Sequence, residues 1–324
     1  MLATDKMVLC LSALVIARGA VAQTTNEQRE IEIPKSAPFV TADGAIAVVG
    51  YNDMREMLEA IGAIFTAAHP NVRFAFDLRG TRFAPAALAA GTSAFAPMGG
   101  EFTPPQLDEY RAAVGDEPLA FRVAHASVNP RALSGPLGIF VHRDNPLVSL
   151  FLPQAGRAFG GQAARWGDLG ATGTWTDRPI HIYGLKADTV LGIFAQKRVL
   201  EGRPFGPRFA GFPQSVDVVE RVSSDSSGIG FAAANRGTPS VRALALSATA
   251  KDTPLAPTAK NVASGRYPLD RFLLIYARRP LTQIAREFVR LVLSPQGQAA
   301  VAASPQEYIP LSPTELAAER AKLD

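Results

Sequence analysis

Strand-length apolar runs alternate with helix-length amphipathic stretches along this chain, and that alternation narrows the possible folds more than any other feature. Ala45–Val49 (AIAVV) has the length of a buried strand, and Gly50 breaks it. Met57, Leu58, Ile61, Ile64 and Phe65 then recur at helical spacing, which predicts a helix from about Met54 to Ala68. Val72–Phe76 reads as the next strand, and Gly80-Thr81 turns it into a short helix around Pro85–Ala90. Thr103 opens a third helix, because Pro104 suits the first helical position and Gln106 completes a capping box. Strands that alternate with helices predict α/β lobes with largely parallel sheets.

Leu137–Val141 (LGIFV) and Phe272–Tyr276 (FLLIY) are two apolar strands far apart in sequence. The segment between them has strand–helix units of its own, including Ile180–Tyr183 and a helix from about Thr189 to Leu200. Beyond Tyr276, a helix carries Ile284, Phe288 and Leu291 on one face. Ser294-Pro295 and Ser312-Pro313 start two more, the latter with Glu315 at the capping-box position. A middle segment inserted between the halves of one lobe makes the chain cross twice and leaves a hinged cleft. The expected division is a first lobe over 39–143 plus 263–324 and a second over 144–262.

Composition sets outer bounds. The 324 residues are 47% hydrophobic and 19% charged, enough apolar material for one large or two medium domains. Lys plus Arg exceed Asp plus Glu by 33 to 29, with no basic run, which argues against nucleic-acid binding and leaves a weak bias toward anionic ligands. Lys6, the apolar run Met7–Ala17 and Ala20-Val21-Ala22 together predict a secretory signal peptide over 1–22, hence a periplasmic or secreted protein. Cys10 is the only cysteine and falls inside that segment, with Leu9 before it where a lipoprotein site needs a small residue. The mature chain would then need no disulfide in an oxidising compartment. Residues 23–38 are polar and are expected to form a loosely attached arm.

Several segments resemble the periplasmic phosphate-binding proteins of ABC transporters. The strongest is SGRYPLDRFLLIYARRP (264–280), followed by REFVRLVLSPQGQAAV and YIPLSP. FVHRDNPL (140–147), WGDLGATGTW (166–175), RPIHIYG (178–184), GIGFAA (228–233) and ALAAGTSAFAPMGGEF (87–102) are similar too, and they occur in the family's order. The resemblance implies a two-lobe, periplasmic-binding-protein-like (type II) fold that closes over a ligand. It implies a solute-binding protein, with an ABC permease as partner and a small oxyanion, phosphate first, as ligand. A diverged paralogue that binds a different solute, or that acts as a protein-interaction module, is the alternative.

In that family, phosphate is held by hydroxyls and by backbone N–H groups at helix starts, where the helix leaves its own donors unsatisfied and its dipole favours an anion. The matching turns here are altered. Gly50 is followed by Tyr51, Asn52 and Asp53, and the second turn reads Gly80-Thr81-Arg82-Phe83. At the third turn, Tyr183-Gly184-Leu185-Lys186-Ala187-Asp188-Thr189 has Leu185 where the family has arginine, and Gly99-Gly100 replaces a serine–arginine pair. The candidate ligand contacts are therefore Tyr51, Asn52, Asp53, Thr81, Arg82, Lys186, Asp188 and Thr189.

Each of these has a plainer reading. Asp53, with Glu56 three residues on, fits a helix cap, and so does Asp188. A carboxylate there opposes an anion, since two like charges about 4 Å apart repel by roughly 4 kcal/mol at an effective dielectric of 20. Arg82 and Lys186 also fit a solvated face, Tyr51 fits a pocket filler, and Trp166 and Trp175 fit packing in the second lobe. The histidines at 69, 125, 142 and 181 show no metal spacing, and no nucleophile elbow or phosphate-binding loop is present. Binding without catalysis, metal or cofactor is the expectation.

Overall fold

The computed structural model describes Glu30 to Asp324 apart from Lys35, and the compact unit spans Ile31–Asp324. The signal peptide expected over 1–22, and half of the arm expected over 23–38, lie outside the described residues. The described end of that arm is attached rather than loose. Ile31 (2% exposed) and Phe39 are buried against the first lobe, because two apolar side chains gain more by burial than the polar residues around them lose.

Two large cores mark two lobes, and a smaller cluster that includes Leu88, Met98, Tyr110 and Tyr276 packs on the first lobe's three-stranded sheet. In the first, the parallel strands Ile46–Val49 and Phe74–Asp77 lie beside a three-stranded sheet in which Phe272–Ala277 is central, between Ala96–Met98 and Leu119–His125. Helices Arg55–Ala68, Gln283–Val292 and Pro295–Ala302 cover it. Met57, Leu58, Ile61 and Phe65 face inward from the first, and Ile284, Phe288 and Val292 from the second. Phe95 and Phe288 stack at its centre, with Phe74 edge-on to both. The second lobe has a five-stranded sheet in the order Val241–Ala243, Leu137–His142, Gly228–Ala233, His181–Leu185, Phe209–Phe212. Trp166 is fully buried there, with Trp175 edge-on at 6.2 Å, so both tryptophans serve packing.

Two expectations need correction. The sheets are mixed rather than largely parallel. Phe272–Ala277 is antiparallel to both of its neighbours, and Leu137–His142 is antiparallel to both of its own. Each of these strands is reached by a crossing between lobes, not by the helical crossover that joins parallel neighbours. Leu137–His142 also packs in the core of the second lobe, with Tyr267 and Leu269, whereas the expected boundary at 143 assigned it to the first. A period-two or all-apolar run does not say which sheet it will join.

The crossings run side by side. The Ala126 N–H donates to the Arg271 carbonyl at 2.8 Å, and the Leu137 N–H donates to the Leu269 carbonyl at 2.9 Å. Between them His125 is wholly buried, its Nδ1 2.6 Å from Asp270 Oδ2 and its Nε2 3.1 Å from Glu315 Oε2. Glu315 also completes the capping box of the Pro313–Arg320 helix with Ser312, as its spacing predicted. Burial opposes a charge on His125, but two carboxylates outweigh it and hold the imidazole above its ordinary range. Burial acts on Asp270 as well, raising its carboxyl. Glu315 resists the same burial through Ser312 and His125 and is lowered.

A histidine raised above its unfolded value of about 6.5 contributes stability that is complete below that pH and fades as pH climbs through the folded value. We therefore expect the thermal midpoint to fall as pH is raised from near neutral into the alkaline range. His125→Gln should flatten that fall and cost on the order of 3 kcal/mol at neutral pH, read by urea unfolding. An unchanged pH profile would show that the imidazole is uncharged in the fold.

Candidate functional site

Arg271 sits where the crossings meet and is 7% exposed. Its Nη2 donates to the Gly99 carbonyl at 3.0 Å and its Nη1 to the Gly135 carbonyl at 3.3 Å, so one guanidinium ties three distant chain segments together. Among the described residues no carboxylate lies within 4.0 Å of its guanidinium, although the Asp270 carboxylate accepts from its backbone N–H at 2.7 Å. Burial pulls its pKa down from the ordinary range, yet a guanidinium stays protonated. Carbonyl dipoles offset only part of the several kcal/mol that burying an ion costs. Sequence reasoning passed over this residue. Its one signal was a charge set directly against the most apolar strand of the chain.

Arg271 lines a cavity of about 410 Å³ between the lobes. Gly100–Thr103 and Phe272 border it from the first lobe, and helix Val190–Val199 and Tyr267 from the second. A Cβ built on Gly100 would lie 2.7 Å from Arg271 Nη2 and 3.0 Å from a Val190 methyl, so glycine is needed here for the lobes to approach. Lys197 Nζ reaches across to Glu101 at 3.1 Å, an exposed pair worth little by itself.

The eight residues singled out from sequence do not line this cavity. Thr189 caps helix Val190–Val199: its Oγ1 accepts from the Gly192 N–H at 3.0 Å and donates to the Lys186 carbonyl at 2.7 Å. Asp188, expected as the cap, is exposed one position too early and makes no cap bond. Lys186 is exposed beside it, and Leu185 is buried in the strand. At the second turn Thr81 is half-buried and lies outside the helix cap, since helix Ala84–Ala89 starts after Phe83 with no side-chain cap. Arg82 is exposed with its guanidinium 4.6 Å from the centre of the Phe83 ring, and Arg79 flanks the same ring at 4.8 Å.

The first turn departs furthest from a cap. Asp53 is buried, and its Oδ2 accepts from the Leu133 N–H at 2.7 Å and from the Tyr308 hydroxyl; Glu56 instead accepts from Gln306. The expected D-x-x-E cap does not form because Asp53 finds tertiary donors 80 and 255 residues further along the chain. Tyr51 lays its ring over Gly99, 2.4 Å from where a Cβ would be, and its Oη lies 3.1 Å from Ser134 Oγ. Burial pushes the Tyr51 phenol up to about 12. Tyr51 therefore fills the space after the first strand, and Gly99 makes room for it, while Asn52 alone of that turn is exposed. Asp53→Ala should cost about 1–3 kcal/mol in urea unfolding, because it strands the Leu133 N–H and the Tyr308 hydroxyl. A loss below about 0.5 kcal/mol would show that both donors find other partners.

No family model matches the chain. It is 28% identical over 309 residues, 91% of its length, to the phosphate-binding protein PstS of Pseudomonas aeruginosa, and covers 92% of that protein. The same values hold for PstS of a second strain of that organism. Among solved structures, an ABC-type phosphate transport receptor from Vibrio cholerae superposes with a TM-score of 0.57 at 18% identity, over 82% of this chain and 99% of that one. PstS from Borrelia burgdorferi gives 0.56 at 14% identity, over 83% and 99%. At these identities the structures speak for the two-lobe fold, and the sequence match extends along nearly all of it. In sequence and in fold, this chain resembles the substrate-binding proteins of phosphate ABC transporters.

Proposed function

We propose that this chain is an extracytoplasmic solute-binding protein that captures a small oxyanion, phosphate first, by closing its lobes, and delivers it to an ABC permease. The observation that carries the reading is the match to PstS over 91% of the chain, on a fold whose lobes share a cleft. The buried guanidinium of Arg271 at the crossing, with no carboxylate partner, agrees with an anion arriving between the lobes. Binding is reversible and needs no covalent chemistry. No helix among the described residues is long and apolar enough to cross a membrane.

The hinge in this reading is the paired crossing near 126–136 and 269–271. The ligand contacts remain proposals at the three strand-to-helix turns. Asn52, Arg82, Lys186 and Asp188 are exposed there and available on closure, with the Thr81 hydroxyl beside them, and the Thr189 hydroxyl would have to give up its bond to the Lys186 carbonyl to donate. Tyr51 and Asp53 would shape the wall rather than donate, given their internal bonds. The loss of the family arginine at Leu185 and the filling of the first turn by Tyr51 favour the second reading, a diverged protein of the same fold that binds another solute.

Isothermal titration of the protein starting at Gln23 with inorganic phosphate tests the assignment. A dissociation constant below about 1 mM, a binding free energy beyond about −4 kcal/mol, is expected. Weaker binding eliminates phosphate, and a thermal-shift screen of other anions, sugars and amino acids then identifies the solute by the shift it produces. Arg82→Ala should weaken phosphate several-fold, and equal affinity would remove Arg82 from the site.

A further inference from the structure

We propose that the cavity between the lobes is a binding site for an organic phosphate, a phosphomonoester carrying an apolar group, with Arg271 and helix Val190–Val199 as its walls. This rests on the solute-binding reading and names a ligand class for the cleft.

Size argues first. The cavity holds about 410 Å³, within the ~300–1,000 Å³ typical of small-molecule pockets. A bare tetrahedral oxyanion occupies only a few times the ~30 Å³ share of a liquid water molecule, and it would leave most of that volume unfilled.

The chemistry of the walls is two-sided. Helix Val190–Val199 presents Val190, Ile193, Phe194 and Lys197 to the cavity, positions three and four apart that share one face. Three of the four are apolar and the stripe ends in a cation. Opposite lie Phe102, Phe272 and Leu274, also apolar.

The charge balance selects an anion. The three carboxylates at the rim are bonded already: Glu101 meets Lys197 at 3.1 Å, and Asp270 and Glu315 share the one imidazole of His125 at 2.6 and 3.1 Å, while four cations, Arg122, Lys197, Arg198 and Arg271, line the same cavity. The Arg271 guanidinium has no carboxylate within 4.0 Å among the described residues, Asp270 reaching only its backbone N–H, and two carbonyls use only part of its five N–H donors. Arg198 likewise bonds a carbonyl, that of Pro268 at 3.1 Å. The excess at the cavity is positive, and a planar guanidinium matches phosphate oxygens two at a time. An apolar group on the ester would lie along Ile193 and Phe194.

Titration of the protein starting at Gln23 with phenylphosphate and with inorganic phosphate tests this. Phenylphosphate should bind at least about tenfold more tightly than inorganic phosphate. Arg271→Lys should weaken phenylphosphate at least about tenfold, and so should Ile193→Trp, which puts an indole into the cavity from a half-buried position and keeps the test open if the Arg271 variant fails to fold. Phenylphosphate no tighter than inorganic phosphate would overturn the cavity assignment and leave oxyanion capture standing. Parental affinity in a folded Ile193→Trp variant would overturn it as well, since the ligand would then lie elsewhere. Heat from neither ligand would overturn both the cavity assignment and phosphate capture.

Discussion

The architecture depends on buried charge at the place where the chain passes between lobes. Arg271 and the His125–Asp270–Glu315 group sit within one stretch of the double crossing. Ionised groups taken out of water are tolerated only when their bonds are made with good geometry. His125 meets that condition with one carboxylate on each ring nitrogen. Arg271 meets it in part, through the carbonyls of Gly99 and Gly135. Each bond spans segments that are remote in sequence, so the two passages are fixed against each other while the lobes on either side keep separate cores.

That separation has a mechanical consequence. Each lobe has a complete aromatic and aliphatic interior of its own. One is organised by Phe74, Phe95 and Phe288, and the other by Trp166 and the stacked Phe205, Phe209 and Phe231. Relative movement of the lobes breaks few apolar contacts when the cores are not shared, and the Lys197–Glu101 pair across the mouth is exposed and weak. A protein built this way can close on a solute at little cost to its packing.

The turns after the strands show how a binding surface can be rewritten without disturbing the scaffold. Tyr51 occupies space made by Gly99, and Asp53 is committed to Leu133 and Tyr308. Thr189 spends its hydroxyl on Gly192 and the Lys186 carbonyl. None of these bonds belongs to a strand ladder, so they can change with no effect on the sheet order. The crossing tolerates no such freedom, because its groups have nowhere else to find partners.

Periodicity alone determined the elements: the helices that bear Met57, Leu58, Ile61 and Phe65, or Ile284 and Phe288, lie where spacing puts them. The caps at Thr103 and Ser312 were equally legible, because a capping box is made within four consecutive residues. Spacing could not tell that Leu137–His142 joins the second lobe or that Phe272–Ala277 runs antiparallel to its neighbours, since a strand's partners are chosen by packing across the whole chain. Nor could it tell that Asp53 would leave its helix end for Tyr308, or that Arg271 would be enclosed. A side chain's partner is local in sequence only when the backbone bond it serves is local, and at the cleft of this protein almost none are.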